Sequence, residues 1–353
     1  MKLSPPSESS KVIVRLPNAV GDTVMVTPVL RRLASVLKPE QLHICGPAGS
    51  LQILAGNPWT GGDVMIDRRG EHSGFFGRLR LARELREAKY TLAIIMPNSI
   101  GAALPFTLAR IPERLGYYKE GRAFLLTAGR PRDHDAHGRF MPKYTGSYFD
   151  ELCDLIPSLP PSEMRPQLFT DADGEREFAQ WQKESGYIES KPLLILVPGA
   201  AFGPSKIWVP ERYAEVANAL VRERDAQVLV SCGPGEESIA EQVKAGLDRP
   251  PLPEARVSLK GLKSIFSRAD FVLTNDTGPR HFAVAFDVPN VTIMGPNDPR
   301  YTHLPTERGE VVREVVACSP CQLKVCPLAE QVCMTRLSTA HVLERCNALW
   351  PDA

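Results

Sequence analysis

Two doubly wound, Rossmann-like α/β lobes of similar size are what this sequence predicts. Its 353 residues exceed one ordinary hydrophobic core and suit two. Short β-rich runs alternate with amphipathic stretches, the rhythm of parallel βαβ units with helices on both faces of each sheet. A proline-rich stretch near the middle interrupts that rhythm, which then begins again.

The first lobe is read over residues 1–172. Lys11–Leu16 (KVIVRL) is a buried strand, followed by a turn over Pro17–Gly21 and a helix beginning near Pro28. Proline suits the first helical position, which makes Thr27 the cap and leaves Asp22 in the loop. Gln41–Cys45 and Asp63–Ile66 are short strands. Leu79–Ala88 is a helix with Leu79, Leu81, Ala82 and Leu85 on one side, and Thr91–Met96 is another buried strand. Gly129–Lys143 turns polar and reads as a mobile loop, followed by a helix over Tyr144–Ile156. Pro157, Pro160, Pro161 and Pro166, with Asp171–Gly174 behind them, mark the interdomain linker.

The second lobe, residues 173–338, repeats the pattern. Helix Glu175–Ser185 leads to strand Leu193–Val197, helix Glu211–Arg222, strand Gln227–Ser231 and helix Glu236–Ala245. Helix Ser264–Arg268, strand Phe271–Thr274, helix Pro279–Phe286 and strand Asn290–Met294 follow. A last helix near Thr339–Ala348 occupies the closing segment, residues 339–353. Ligands of open parallel sheets bind outside the carboxyl ends of the strands, so the strand-to-loop junctions are the places to search.

Composition narrows the class. At 43% hydrophobic and 24% charged the chain is an ordinary globular protein. Its longest apolar run, around Leu193–Val197, stops at Pro198, far short of the roughly eighteen residues of a membrane span. Met1–Ser10 is polar and Pro/Ser-rich, with no apolar segment behind a basic tip. It reads as a floppy leader rather than a secretory signal, and the expected location is the cytoplasm. The net charge of +1 conceals a basic first 150 residues and an acidic remainder. Either the lobes meet different partners or their helix faces simply differ. Arg68, Arg69, Arg78, Arg80, Arg83, Arg86, Arg110, Arg114 and Arg122 crowd the first lobe. Without interleaved aromatic platforms or a reader motif they do not point to nucleic acid. They suit a phosphorylated or carboxylated acceptor at a membrane surface, or, taken singly, solvated helix faces.

Four junctions carry candidate chemistry. Asp22, after the first strand and the flexible Gly21, is a helix cap or a general base. Lys206 in PGAAFGPSKIW is a surface lysine or a point charge for a phosphate; the phosphate-loop and dinucleotide glycine motifs are both absent. In GPGEE, Glu236 or Glu237 is a carboxylate in a first helical turn or an acceptor for the paired hydroxyls of a ribose. TNDTGPRH is the sharpest signal. Free amides around Thr277 and Gly278, ahead of the helix opened by Pro279, make an anion site suited to a pyrophosphate. Asp276 there can bind sugar hydroxyls or cap the helix, and His281 faces the ligand or packs. Lastly, Cys318, Cys321, Cys326 and Cys333 fall within sixteen residues, as a structural metal knuckle or as reduced thiols in a packed loop.

Taken in order, VGDTVMVTPVLRRL (20–33), MPNSIGAALPFTLARIPERLGYY (96–118), PGAAFGPSKIWVPERYAEVANAL (198–220), TNDTGPRHFAVAFDVPNVTIMGPNDP (274–299) and CSPCQLKVCPLAEQVCMTRLS (318–338) resemble glycosyltransferase family 9, the ADP-heptose:lipopolysaccharide heptosyltransferases. The resemblance is colinear from Val12 to about Leu343. It implies a GT-B fold with a cleft between the lobes, the acceptor on the first and the nucleotide sugar on the second. It implies an inverting transfer of heptose from ADP-heptose to the lipopolysaccharide inner core, needing neither metal nor cofactor, with transient contact at the cytoplasmic face of the inner membrane. By the resemblance Asp22 is the general base. Lys206, Glu236 (or its neighbour Glu237), Asp276, Thr277, Gly278 and His281 bind the donor, and the cysteines lie outside the chemistry.

The chain also departs from the family. Ala201 stands where relatives carry Glu in PGAEFGPAK, and Pro279 and Arg280 replace the usual Leu and Met. Arg280 then adds a cation beside the diphosphate or beside a more anionic acceptor. Two other readings remain: a family-9 transferase using another nucleotide sugar or glycan, and a non-catalytic nucleotide-sugar-binding module.

Overall fold

The computed structural model describes residues 3–67 and 69–351; Arg68, and Met1 and Lys2 of the expected leader, lie outside them. The chain divides into two compact units, Met1–Phe169 and Thr170–Ala353. Among the described residues no helix is long and apolar enough to cross a membrane.

In the first unit the order is β1 (Val12–Arg15), α1 (Val20–Met25), α2 (Thr27–Ala34), β2 (Leu42–Gly46), α3 (Ala48–Leu54), β3 (Gly62–Met65), α4 (Gly74–Glu87), β4 (Leu92–Ile95), α5 (Ile100–Leu108), β5 (Glu113–Tyr117), β6 (Ala128–Arg130) and α6 (Thr145–Cys153). The strands form one sheet in the order β3-β2-β1-β4-β5-β6, every pair parallel. Strands β1 and β4 are buried at every residue, which is why they read as unbroken apolar runs rather than as alternation. Ile13, Ala93, Ile95 and Phe106 centre a core between the sheet and helices α4 and α5.

Several first-unit expectations change. Asp22 lies in no loop: it is the third residue of α1. Pro28 marks a kink rather than the first start, because its lack of an N–H leaves the carbonyl four residues back without its helical donor. That carbonyl, on Val24, accepts instead from the Thr27 hydroxyl at 2.8 Å. One helical path is thereby kinked at Val26 (φ −93°, ψ 2°), where the sequence suggested a new start. The expected leader is anchored: Leu3 is buried, and Ser4 donates through N and Oγ to Glu113 at 2.9 Å. The polar stretch Gly129–Lys143 begins inside β6. It is tied by Arg132 over the Phe140 ring, by a His134–Phe140 bridge and by Lys143 bonded to Asp133 and Glu151.

The second unit runs α7 (Ala172–Ser185), β7 (Leu193–Val197), α8 (Pro210–Arg224), β8 (Gln227–Val230), α9 (Glu237–Ala245), α10 (Leu259–Phe266), β9 (Phe271–Asn275), α11 (Arg280–Ala285), β10 (Asn290–Ile293), β11 (Gly309–Val312), α12 (Val332–Thr335) and α13 (Thr339–Leu349). Its parallel sheet has the order β11-β10-β9-β7-β8. Asp171–Gly174, read as linker, instead starts α7, where the Asp171 carboxylate caps the Gly174 N–H at 2.8 Å. Gly174 is there for contact: a Cβ on it would stand 2.5 Å from the Lys260 carbonyl of α10. Helix α13 packs on α8, β10 and β11, and Trp350 beyond it stacks on Phe271 at 5.1 Å. The final helix thus belongs to the same core as Trp208 and Tyr213.

Candidate active site

Each sheet reverses its direction of strand addition once, between β1 and β4 in the first unit and between β7 and β9 in the second. Loops leaving the two central strands there diverge and open a crevice. The candidate residues fall at these two places.

In the second unit, β9 ends at Asn275, whose side chain donates to the carbonyls of Pro198 and Gly199 and accepts from Tyr213 Oη at 2.9 Å. This buried amide ties the β7 loop to the β9 loop and fixes the next residue, Asp276. Lys206, in a 3-10 turn over Pro204–Lys206, points back at that residue. Its Nζ lies 2.7 Å from the Asp276 carbonyl and 2.8 Å from Oδ2, with the Phe202 ring 4.8 Å away. An ammonium has three protons, and Asp276 accepts two of them.

Asp276 is 3% exposed, and protein groups occupy both its oxygens. Oδ2 accepts from Lys206 and from Asn297 Nδ2 at 2.9 Å; Oδ1 accepts from Thr302 Oγ1 at 3.0 Å and Arg280 at 3.4 Å. Burial works to raise its pKa, but the Lys206 and Arg280 cations outweigh it and hold the carboxyl well below the usual range. Sequence reasoning put sugar hydroxyls on this carboxylate; the structure has four protein donors there already.

Arg280, expected as a cation beside the diphosphate or the acceptor, also has protein partners. It is fully buried, bonded to Glu307 at 2.7 Å and to Thr302 at 3.0 Å, and its Nε has no partner among the described residues. Burial opposes ionisation of Glu307, yet Arg280 and His303 draw its pKa down to about 2. Asn297, Thr302 and Glu307 were not singled out in the sequence. The available signal was Arg280 itself, because a cation heading the buried run RHFAVA requires a buried counter-ion.

Thr277 and Gly278 are half-buried, and among the described residues their N–H groups donate to nothing. Helix α11 starts one residue later than expected, at Arg280 with Pro279 as its cap. His281 is 3% exposed, and burial, with Arg280 next, lowers its pKa to about 4, so the ring is neutral near pH 7.

Glu236 accepts from the Gly233 N–H at 2.7 Å through Oε2, and a Cβ on Gly199 would fall 2.2 Å from that oxygen. The carboxylate therefore rests on the backbone that leaves β7, which only glycine permits. Its Oε1 has no donor among the described residues. Glu237 is exposed and bonds the Gly235 N–H at 3.1 Å.

The cysteine-rich segment braces this site. Ser205 donates through N and Oγ to the carbonyls of Lys324 and Leu323, and the Gln331 amide donates to the Ser205 carbonyl. Cys318, Cys321, Cys326 and Cys333 line one small cavity beside Ser205. Among the described residues no group of three or more His, Cys, Asp or Glu is placed to hold a metal ion.

In the first unit Asp22 is half-buried in the first turn of α1, seven residues past the end of β1. The arginines there separate by role. Arg122 is fully buried on the carbonyls of Tyr117, Pro97 and Ile95, and Arg114 binds backbone. Arg80 and Arg83 pair with Glu84 and Glu87 along α4, and Arg86 reaches the Leu108 carbonyl. Arg78 and Arg69 face cavities.

Two doubly wound parallel-sheet units are the organisation of glycosyltransferases of the GT-B type. The chain belongs to glycosyltransferase family 9 (heptosyltransferase), whose model matches residues 78–331. It is 28% identical over 309 residues to lipopolysaccharide heptosyltransferase 2 of Salmonella typhimurium, covering 86% of this chain and 88% of that one. With the Escherichia coli protein of the same name it shares 26% identity over 345 residues, 96% of this chain and 98% of the relative. Among solved structures, a family 9 glycosyltransferase from Veillonella parvula superposes with a TM-score of 0.86 at 17% identity, covering 99% of this chain and all of that one. The Escherichia coli ADP-heptose lps heptosyltransferase II superposes at 0.76 with 24% identity, over 96% and 98% of the two chains.

Proposed function

We propose that this enzyme is an inverting, metal-independent transferase that moves a heptose from ADP-heptose to the inner core of lipopolysaccharide. The observation that carries the reading is the Lys206 ammonium, held on Asp276 at the switch point of the second sheet beside two undonated amides. These are the groups a departing diphosphate needs: a cation, the Thr277 and Gly278 N–H donors, and the neutral ring of His281. In this proposal Asp276 serves by holding Lys206 and Asn297 in place. Glu236, with one oxygen lacking a donor, accepts the ribose hydroxyls. Asp22 removes the proton from the acceptor hydroxyl as that oxygen attacks the anomeric carbon from the face opposite ADP. The C1–O bond to ADP breaks as the new C1–O bond forms, and configuration inverts.

The acceptor belongs to the basic first unit, and the working place of the enzyme is the cytoplasmic face of the inner membrane. Phe75 and Phe76, 62% and 82% exposed at the start of α4, support a peripheral contact there. The test is mass spectrometry of a deacylated, heptose-deficient core saccharide incubated with ADP-heptose. One added heptose is the expected product; an unchanged acceptor, with another nucleotide sugar consumed in its place, would overturn the donor assignment.

A further inference from the structure

Helix α1, which carries Asp22, has six residues, too few for its own backbone bonds to hold it in place, and its cap residue Ala19 has no side-chain acceptor. Three buried hydroxyls surround it instead. Ser50, on α3, donates from Oγ at 3.0 Å to the Pro17 carbonyl, which no backbone N–H reaches among the described residues. Thr23 Oγ1 lies 2.9 Å from the Ala19 carbonyl and 3.0 Å from Ser50 Oγ. Past Asp22, Thr27 Oγ1 donates to the Val24 carbonyl at 2.8 Å and accepts from the Gln167 N–H at 3.0 Å. Thr23 and Thr27 are wholly buried, and Ser50 is nearly so. Helix α6 closes the far end of α1: a Cβ on Gly146 would stand 2.6 Å from the Met25 carbonyl.

A buried hydroxyl costs stability unless it is hydrogen-bonded, and valine fills a wholly buried threonine position without that cost. What the hydroxyl adds is direction. It fixes one atom at a set distance and angle, whereas apolar contact has no preferred orientation. Apart from the contact between Thr23 and Ser50, every one of these bonds ends on backbone, at Pro17 and Ala19 before Asp22 and at Val24 and Gln167 after it. We propose that Thr23, Ser50 and Thr27 are positioning residues, which hold the Asp22 carboxylate at the place from which it takes the acceptor proton. The inference rests on Asp22 being the general base. None of the three hydroxyls needs to touch a reacting atom; they act through the path of the backbone on either side of Asp22. The demand is strict, since a misplacement of about 1 Å can cost about a hundredfold in rate.

Two pairs of variants test it in the full chain. Thr23→Val and Thr27→Val keep the volume of each side chain and delete its hydroxyl; Thr23→Ser and Thr27→Ser keep the hydroxyl and delete a methyl. With ADP-heptose and a deacylated core saccharide, kcat should fall about tenfold to a hundredfold in each valine variant. KM for the saccharide and the affinity for ADP should not change. The acid limb of the kcat/KM profile should stay in place, because the same carboxylate still takes the proton. Both serine variants should keep most of the unaltered kcat. A role in packing alone gives the reverse order, with the serine variants the more damaged. That order, or full kcat in the valine variants, overturns the inference. Should Thr27→Val fail to fold, Thr23→Val decides alone, because the Ala19 and Pro17 carbonyls keep the Thr23 N–H and the Ser50 hydroxyl. Asp22→Asn in the same assay separates the two readings. Its inactivity beside fully active valine variants overturns the positioning role and leaves the base standing. Turnover in Asp22→Asn with the acid limb intact overturns the base, and this inference with it.

Discussion

Lys206 Nζ stands 2.8 Å from Oδ2 of Asp276, and both groups are almost wholly withdrawn from solvent. The carboxylate also faces Arg280, so one anion answers two cations, and Glu307 supplies the remaining negative charge. Removing one member of such a buried set leaves a charge without compensation, which costs about 3–5 kcal/mol. Asp276→Asn should lose stability of that order in urea denaturation. Adding Lys206→Met to it should restore part of the loss, because the orphaned ammonium is then gone. Equal stability of Asp276→Asn and the unaltered protein would show that the pair contributes nothing net.

The same cluster sets a pH dependence. His281 has its folded pKa lowered to about 4 from 6.5. Below 6.5 the unfolded chain binds a proton that the folded one refuses, so the stabilisation is complete above 6.5 and is lost as pH falls toward 4. Glu307, lowered to about 2 from 4.5, extends the loss through a second window from 4.5 down to 2. Asp276, lowered likewise, acts in the same acid range. Thermal unfolding midpoints should therefore decline from pH 6.5 to 4 and again below 4.5. His281→Gln should flatten the upper limb, by up to about 3 kcal/mol, while sparing the lower one. A flat profile between 6.5 and 4.5 in the unaltered protein would contradict the buried neutral ring.

Strands β1, β4, β7 and β9 were legible in the sequence because strands buried on both faces leave continuous apolar runs, and the segments after β1, β7, β8 and β9 carried the candidate residues. Helix α5 was not, since Pro105 lies inside it and its GAAL stretch has no polar side to mark a period. Nor was the path through α1 and α2, where the Thr27 hydroxyl takes over a bond that Pro28 cannot make. The site was legible only as far as local pattern reaches. Lys206 and Asp276 are seventy residues apart, and Glu307 lies twenty-seven beyond Arg280. Such partners are joined by the order of strands in the sheet, which no local spacing encodes. The choice of Glu236 over Glu237 likewise turned on Gly199, a glycine whose reason shows only once the carboxylate is seen resting on it.

That contact makes Glu236 a sharp test of nucleotide orientation. If its donor-free oxygen accepts a ribose hydroxyl, Glu236→Gln exchanges a charged acceptor for a neutral one and should weaken ADP about tenfold, near 1.4 kcal/mol. The variant should bind 2′,3′-dideoxy-ADP as well as the unaltered protein does, because the interaction is already absent from that ligand. Calorimetry with both nucleotides separates the outcomes. A tenfold loss toward the dideoxy nucleotide as well would mean that Glu236 merely orders the Gly233 turn.

Asp22 gives the last and most direct check on chemistry. Its place in the first turn of α1 suits a carboxylate, since the positive end of the helix favours the ionised form, and an amide of the same shape preserves the fold. Asp22→Asn should therefore leave the unfolding midpoint and the ADP dissociation constant close to those of the unaltered protein. A positioned base contributes about a hundredfold to ten-thousandfold to rate, so kcat should fall within that span. The acid limb of the kcat/KM profile, which reports ionisation of the base, should vanish with it. Residual turnover that kept the same acid limb would assign the proton to another group, and a tenfold change in ADP affinity would mean that the substitution had disturbed binding rather than proton transfer.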